Sequence, residues 1–588
     1  MKKAIEKILS KKSNILIFSL ITAAVLTCAT LVYFLCIKKY YPINSDEILL
    51  KRTIEGATNG GESPFAPVPY MVYINSLLGL ILLLFYLIIP TAPWYFMMLA
   101  VVTAFAYTAI LYKTLVLCRD SYKKAIAGFV LFVLLILICN YFVKIIYTEV
   151  AGLCAGASVF YCLCIDFEAS KREKIFDATV LSILACFSIL LRQEIGYITF
   201  AFVLAILLYR VFVTKVDIKK IYKTAIPVFC CLLIPFVVQT VVKNTSGYKA
   251  HTEYNQTRTE FFDYYGMPDW ETDKEFYESI GIDYEQYVLI EGCTYIFDDV
   301  ISEEQMKSIV EYQKEKIASE GFFGKIKATV GRAVSEPRAF TFTRSAYIIL
   351  LFSIAIVVLT IIRKEYARLI LIGIISLLSL AMFLYLCYIG RVPDRGVRPL
   401  FFIELLTILY FALTENYDFI KFKRAWLRYA TVCGLIALTL PGAAINLLED
   451  RGDYKLSEKN AQEYTAVREY ILNNSDRNYI IATGYVMSEP VTFNTNSLKR
   501  MNYIGRSTWE LHSPHAHNLY RDWGISGEMT VKKICDKDIA FVIEKESAVK
   551  TAFVDFVDKH YPAMQVVETD VITSTGGTEI GIYKVVTK

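Results

Sequence analysis

Two adjacent carboxylates, Asp46 and Glu47, stand in the stretch YYPINSDEIL (Tyr41 to Leu50), just after the first long apolar run. A carboxylate where a chain leaves a membrane is costly unless it is solvated, paired or used. Asp46 held at the surface can take a proton from an acceptor hydroxyl; the plain alternative is a solvated pair that marks a helix end. A third acid, Glu149 of Tyr147-Thr148-Glu149, opens another apolar run, where the helix macrodipole alone favours it. Arg192, in LLRQEIGYI with Gln193 and Glu194, lies between two apolar runs and needs a partner, either Glu194 as a structural counter-ion or a bound anion. The segment GRVPDRGVRP (Gly390 to Pro399) gathers Arg391, Arg395 and Arg398 around Asp394. Forked guanidiniums hold a phosphate or pyrophosphate through paired hydrogen bonds that lysine does not imitate, and Gly396 permits close backbone approach. Topological anchoring or contact with lipid headgroups is the competing account. His512, His515 and His517 form HSPHAH near Trp509 and Trp523. They could bind a metal or contact a sugar, or be loop histidines with no site, since no carboxylate is fixed to them by spacing.

These residues need a frame that brings them to one side of a bilayer. The chain has 588 residues, 55% of them hydrophobic, and apolar runs of about 17–25 residues recur, long enough to span a bilayer as helix. The clear runs are roughly 13–36, 94–117, 125–141, 147–165, 175–191, 196–213, 225–242, 345–362, 367–389, 399–413 and 428–447, with 70–90 ambiguous. The formal charge of +5 is small, and no nucleic-acid partner is expected. The distribution of charge is more informative. Basic clusters follow the even-numbered runs if 70–90 does not cross, and all of them then share the side of the N-terminal lysines, as the positive-inside rule requires. The run 70–90 therefore reads as re-entrant or interfacial, with prolines at 64, 67, 69, 90 and 93 breaking its entry and exit. The expectation is an α-helical polytopic protein of about eleven crossings in the plasma membrane, with the N-terminus cytoplasmic. Asp46, Glu47, Glu149, Arg192, the long loop 243–342 and the arginine-rich turn all fall on the outer face.

After Leu447 polar helix-like (458–472) and strand-like segments (479–483, 539–543, 564–571, 579–586) alternate. Residues 1–447 read as the membrane domain, including the outer loop, and 448–588 as an extracytoplasmic α/β domain. The loop itself carries a helical period around 305–317. The 14 cysteines lie mostly in apolar runs, where they act as small apolar residues. Cys293 and Cys535 lie in soluble segments, as a pair or as two free thiols.

Together these motifs resemble the GT-C superfamily of polytopic glycosyltransferases, in particular the branch of protein O-mannosyltransferases and the aminoarabinose transferase of lipid A. The resemblance covers roughly 15–413. It rests on the Asp46-Glu47 pair in the first outer loop, PFAPVPYMVY (Pro64 to Tyr73) in place of a His-Pro-Pro-type segment but without its histidine, Tyr147-Thr148-Glu149 at the outer start of a later helix, Arg192-Gln193-Glu194, and the late outer arginines. It implies inverting transfer of a sugar from a polyprenyl-phosphate donor, itself a membrane lipid, to a cell-envelope glycan, lipid or protein acceptor. Asp46 would be the base, Glu47 and Glu149 would position the acceptor or a divalent cation, and Arg192, Arg391, Arg395 and Arg398 would meet the donor. The cation is optional, and no cofactor is otherwise implied. A transporter of lipid-linked saccharides predicts inverted repeats, and none is visible. A surface-polysaccharide polymerase or ligase needs no acidic pair in the first loop, and a mere anchor would not explain outer charges from Asp46 to Arg398.

Overall fold

The computed structural model describes residues 2–32, 45–55, 70–139, 145–319, 321–339, 353–354, 356–414, 448, 451–452, 455–482, 491, 502–506 and 509–588. The predicted run 428–447 and half of 345–362 lie outside them. Among the described helices are α1 (Lys2–Leu9), α2 (Lys12–Val32), α3 (Ser45–Glu55), α4 (Ser76–Ile88), α5 (Trp94–Leu117), α6 (Tyr122–Cys139), α7 (Tyr147–Leu163), α8 (Lys171–Leu191), α9 (Gln193–Phe212), α10 (Ile218–Lys243), α11 (Ser246–Thr259), α12 (Trp270–Ser279), α13 (Tyr284–Glu291), α14 (Glu303–Ser319), α15 (Gly321–Ala339), α16 (Tyr366–Tyr388) and α17 (Asp394–Thr414). Among the described residues, seven helices are long and apolar enough to cross a membrane: those that begin at Lys12, Trp94, Lys171, Gln193, Ile218, Tyr366 and Asp394. Their outward side chains, such as Ile21, Val25, Leu233, Ile234, Val241, Leu377 and Leu380, are exposed, which is the surface a multi-pass protein shows to lipid.

The hub of the bundle is α7, all 17 residues of which are buried. It packs against α5, α8, α9 and α17. Close approach of α17 depends on Gly152 and Gly156: a Cβ on Gly152 would stand 2.6 Å from Pro399, and one on Gly156 2.3 Å from Phe402. This is the small-residue spacing that lets membrane helices meet backbone to backbone. The ambiguous run 70–90 becomes an extended stretch followed by α4, whose 13 residues reach about 20 Å, short of a bilayer core. The stretch is stapled to the bundle, since Asn75 N–H donates to Leu190 O at 2.9 Å, Asn75 Nδ2 to Pro235 O at 2.8 Å, and Gln239 Oε1 accepts from Ser76 N–H at 2.7 Å.

The C-terminal part is built, among the described residues, on five strands, β1 (Asn478–Ile481), β2 (Asn502–Gly505), β3 (Ala540–Glu544), β4 (Met564–Thr573) and β5 (Glu579–Thr587), in the order β2-β1-β3-β5-β4. The first three pair in parallel and the last two run antiparallel. Strand alternation sends Ile480, Ile504 and Phe541 to one face and Tyr479, Ile481, Tyr503 and Val542 to the other. The first face shares one core with Tyr254, Phe261, Tyr277, Ile290 and Ile309 of the long loop. The loop assigned to the membrane domain from sequence thus shares its apolar interior with the C-terminal sheet. Cys293 and Cys535 are both free thiols.

Candidate functional site

Helix α3 opens with Asp46 and Glu47 in its first turn, where the macrodipole favours negative charge. Asp46 Oδ2 accepts a hydrogen bond from Arg395 Nη1 at 2.8 Å. Glu47 turns the other way and is buried. Its Oε1 accepts from the Tyr147 N–H at 2.7 Å and its Oε2 from the Tyr95 O–H at 2.9 Å. Burial outweighs these two donors, and the neighbouring Asp46 charge adds to it, so the Glu47 carboxyl is pushed up to about 7. The rest of α3 is held from two sides. Leu50 and Ile54 enter the core of the bundle, Ile48 joins the cluster under the second face of the sheet, and Thr53 Oγ1 donates to Glu510 Oε1 at 2.6 Å.

The segment read as one turn from Gly390 to Pro399 is a turn only as far as Pro393. Gly390 has φ +84°, a left-handed conformation open to glycine, and α17 starts at Asp394. Pro393 and the acidic first residue form a helix start that its tally of glycine and prolines conceals. Gly396 is approached by Pro393 of its own turn, 3.2 Å from where a Cβ would stand, and by no other group among the described residues. The three arginines therefore diverge. Arg395 meets Asp46. Arg398 is buried, with Nε 2.7 Å from Asp394 Oδ2 one helical turn back and Nη1 3.6 Å from Glu149 Oε1. Arg391 stays on the turn, 3.1 Å from Asp263 Oδ2 of the long loop and 5.5 Å over the Tyr264 ring.

Arg192 caps α9. Its Nη1 donates to the Tyr147 hydroxyl at 2.8 Å, its Nε lies 2.7 Å from Glu194 Oε2, and its guanidinium sits 5.1 Å over the ring of Tyr73. Tyr147 thus ties Glu47 through its N–H and Arg192 through its hydroxyl. All seven candidates, from four separate stretches of sequence, gather at the end of the bundle that carries the C-terminal domain.

Three of them, Arg192, Arg391 and Arg395, border a cleft of about 410 Å³, whose walls also include Tyr70, Tyr73, Glu194, Gln239, Lys243, Asn255, Glu260, Asp263 and Tyr264; Asp46 reaches it through Arg395. Each of its arginines has a carboxylate within 4 Å. Among the described residues Lys243 has none, and neither has Arg258 behind the wall, which is 6% exposed and bonded through Nε to Asn255 Oδ1 at 3.2 Å. Glu194 of the same wall acts on Lys243 from beyond ion-pair distance, so the cleft holds cations without a direct carboxylate contact, a setting that can receive an anion. Sequence reasoning missed Lys243, Tyr73 and Arg258. The signal for Lys243 was present: it is a cation directly after an apolar run on the side where the charge bias calls for few.

The histidines lie apart from the cleft. His512 Nε2 is 3.6 Å from Asp298 Oδ1, its ring centroid is 4.0 Å from that of Tyr254, and burial lowers its pKa to about 4. No group of three or more His, Cys, Asp or Glu residues is placed to hold a metal among the described residues. No family model matches the chain and no curated protein matches it. Fold and site define a class by themselves: a multi-pass membrane protein with an arginine- and lysine-bearing cleft and a part-buried carboxylate where its bundle meets an α/β domain.

Proposed function

We propose that the chain is a membrane glycosyltransferase that moves a sugar, with inversion, from a polyprenyl-phosphate donor to a cell-envelope acceptor on the outer face of the plasma membrane. The observation that carries this reading is the 2.8 Å pairing of Asp46 with Arg395 at a cleft whose wall holds a further cation, Lys243, without a direct carboxylate contact among the described residues. An amphipathic donor keeps its tail in lipid and brings its phosphate to the end of the bundle. Lys243 meets that phosphate without first giving up a partner. Arg395 then exchanges Asp46 for a phosphate oxygen and frees the Asp46 carboxylate. The acceptor hydroxyl gives its proton to Asp46 as its oxygen bonds to the anomeric carbon, and the bond from that carbon to the phosphate oxygen breaks. Polyprenyl phosphate leaves with the electron pair, its charge met by Arg395 and Lys243. Tyr73, with Arg192 stacked on it, offers a ring to the sugar. Glu47 and Glu149 act as positioning residues, the one fixing α3 through Tyr147 and Tyr95, the other orienting Arg398.

The test is a transfer assay with full-length protein in detergent, radiolabelled polyprenyl-phosphate hexoses and pentoses, and envelope extract as acceptor. Donor consumption that is lost in Asp46→Asn and in Arg395→Ala supports the reading. If the parent consumes no donor from either sugar class, the reading falls.

A further inference from the structure

Helix α15 is built inside out. Phe322, Phe323, Ile326, Val330 and Val334 are 73%, 84%, 43%, 54% and 53% exposed. Phe322, Ile326, Val330 and Val334 recur every four residues, so they form one stripe along the helix. The face turned toward the protein carries Gly324, Lys325, Ala328, Thr329, Arg332 and Ala333, all partly buried. A helix held by its own protein's core does the reverse. The helix bears Lys325, Lys327 and Arg332, too many charges for a span but complementary to anionic headgroups. Its position agrees. It joins α14 of the soluble body to α16, whose Ile370, Leu377, Leu380 and Leu384 present an exposed apolar surface of their own. Arg332 Nη1 donates to the carbonyl of Cys387 at the end of α16 at 2.7 Å, and its guanidinium lies 3.7 Å from where a Cβ of Gly390 would stand.

We infer that α15 lies along the bilayer surface, its apolar stripe in the boundary between headgroups and acyl chains, and that through Arg332 it sets the height of the Arg391–Arg395 segment against the lipid phosphates. The lipid surface of α16 thereby continues onto α15 and ends beside the cleft. This inference is independent of the chemistry proposed for the site.

Photo-crosslinking in proteoliposomes tests it. Full-length protein carries p-benzoylphenylalanine in place of Phe323 or, separately, Val330, in vesicles of phosphatidylcholine with radiolabelled phosphatidylglycerol. The same probe at Leu380 of α16 marks a lipid-facing position, and at Tyr284, 54% exposed on the soluble body, a position in water. Label transfer at Phe323 and Val330 matching Leu380, and about tenfold above Tyr284, is the expected result. Transfer at the Tyr284 level from both positions overturns the inference, whether the probe reacts with water or with another part of the chain.

Discussion

At one end of the bundle Lys113 and Asp177 meet at 2.8 Å with 6% and 8% of their side chains exposed. Tyr161 donates its O–H to the second Asp177 oxygen at 2.8 Å, and the Lys113 ammonium lies 4.5 Å over the Tyr161 ring. At the other end Arg395 meets Asp46, also at 2.8 Å, but with 31% and 19% exposed and the cleft alongside. Tyr95 bonds Glu47 at the site, and Lys113 lies eighteen residues further along α5, about 27 Å away. The two pairs share a distance and differ in closure. The first is sealed by a tyrosine that satisfies what the pair leaves over, so it can only hold helices together. The second borders space and surplus positive charge, so either partner can be exchanged for a ligand.

The contrast breaks first on activity. Asp46→Asn should lower sugar transfer by about 10²–10⁴-fold, the range for loss of a general base, while the thermal midpoint of the detergent-solubilised protein stays put. An equal loss of folding would make Asp46 a second structural pair. The opposite end should respond in the opposite sense. Lys113→Ala leaves a buried carboxylate without its cation and should cost about 3–5 kcal/mol of stability, read as a lower thermal midpoint, with transfer per folded molecule unchanged. Lys243→Gln sharpens the comparison within the cleft. Removal of the cation that has no carboxylate partner should raise KM for the donor about tenfold, equivalent to one charge-assisted contact, with little change in kcat. A kcat loss with unchanged KM would shift the donor phosphate away from Lys243.

The smallest effect is on pH. Burial raises Glu47 from 4.5 to about 7. The folded state thus holds this proton more tightly than the unfolded chain does. The resulting stabilisation is complete below about 4.5 and is lost as pH rises through about 7. The parent's thermal midpoint should fall between pH 6 and 8 relative to Glu47→Gln, which keeps a neutral group there. Parallel profiles for the two proteins would show that Glu47 does not titrate in this range.

The legible parts of this chain were those governed by local rules. The run 94–117 coincides with α5, because Pro93 and a string of apolar residues define it without help from elsewhere. The helix read around 305–317 appears as α14, and four of the five strands lie where alternation placed them. Strand β2 was missed because four residues, Asn-Tyr-Ile-Gly, carry no visible period. Helices α11 to α13 escaped because their buried anchors include Tyr254, Tyr277 and Tyr287, side chains that bury a large ring yet score as half polar. The helical start at Asp394 was concealed by its turn-like composition.

The types and order of the charged residues, and the apolar lengths that separate them, were determined by the sequence alone, because rise per residue and the cost of a charge in lipid are properties of short segments. Which charge meets which was decided only by tertiary structure. Asp46 and Arg395 are 349 residues apart, and no local rule distinguishes that pairing from Asp46 with Arg391 or Arg398. Gly152 and Gly156 decide it by letting α17 settle against α7, which turns Arg398 inward to Glu149. Arg395 is thereby left facing Asp46 at the edge of the cleft, and Lys243 remains the cation of its wall with no carboxylate within 4 Å among the described residues.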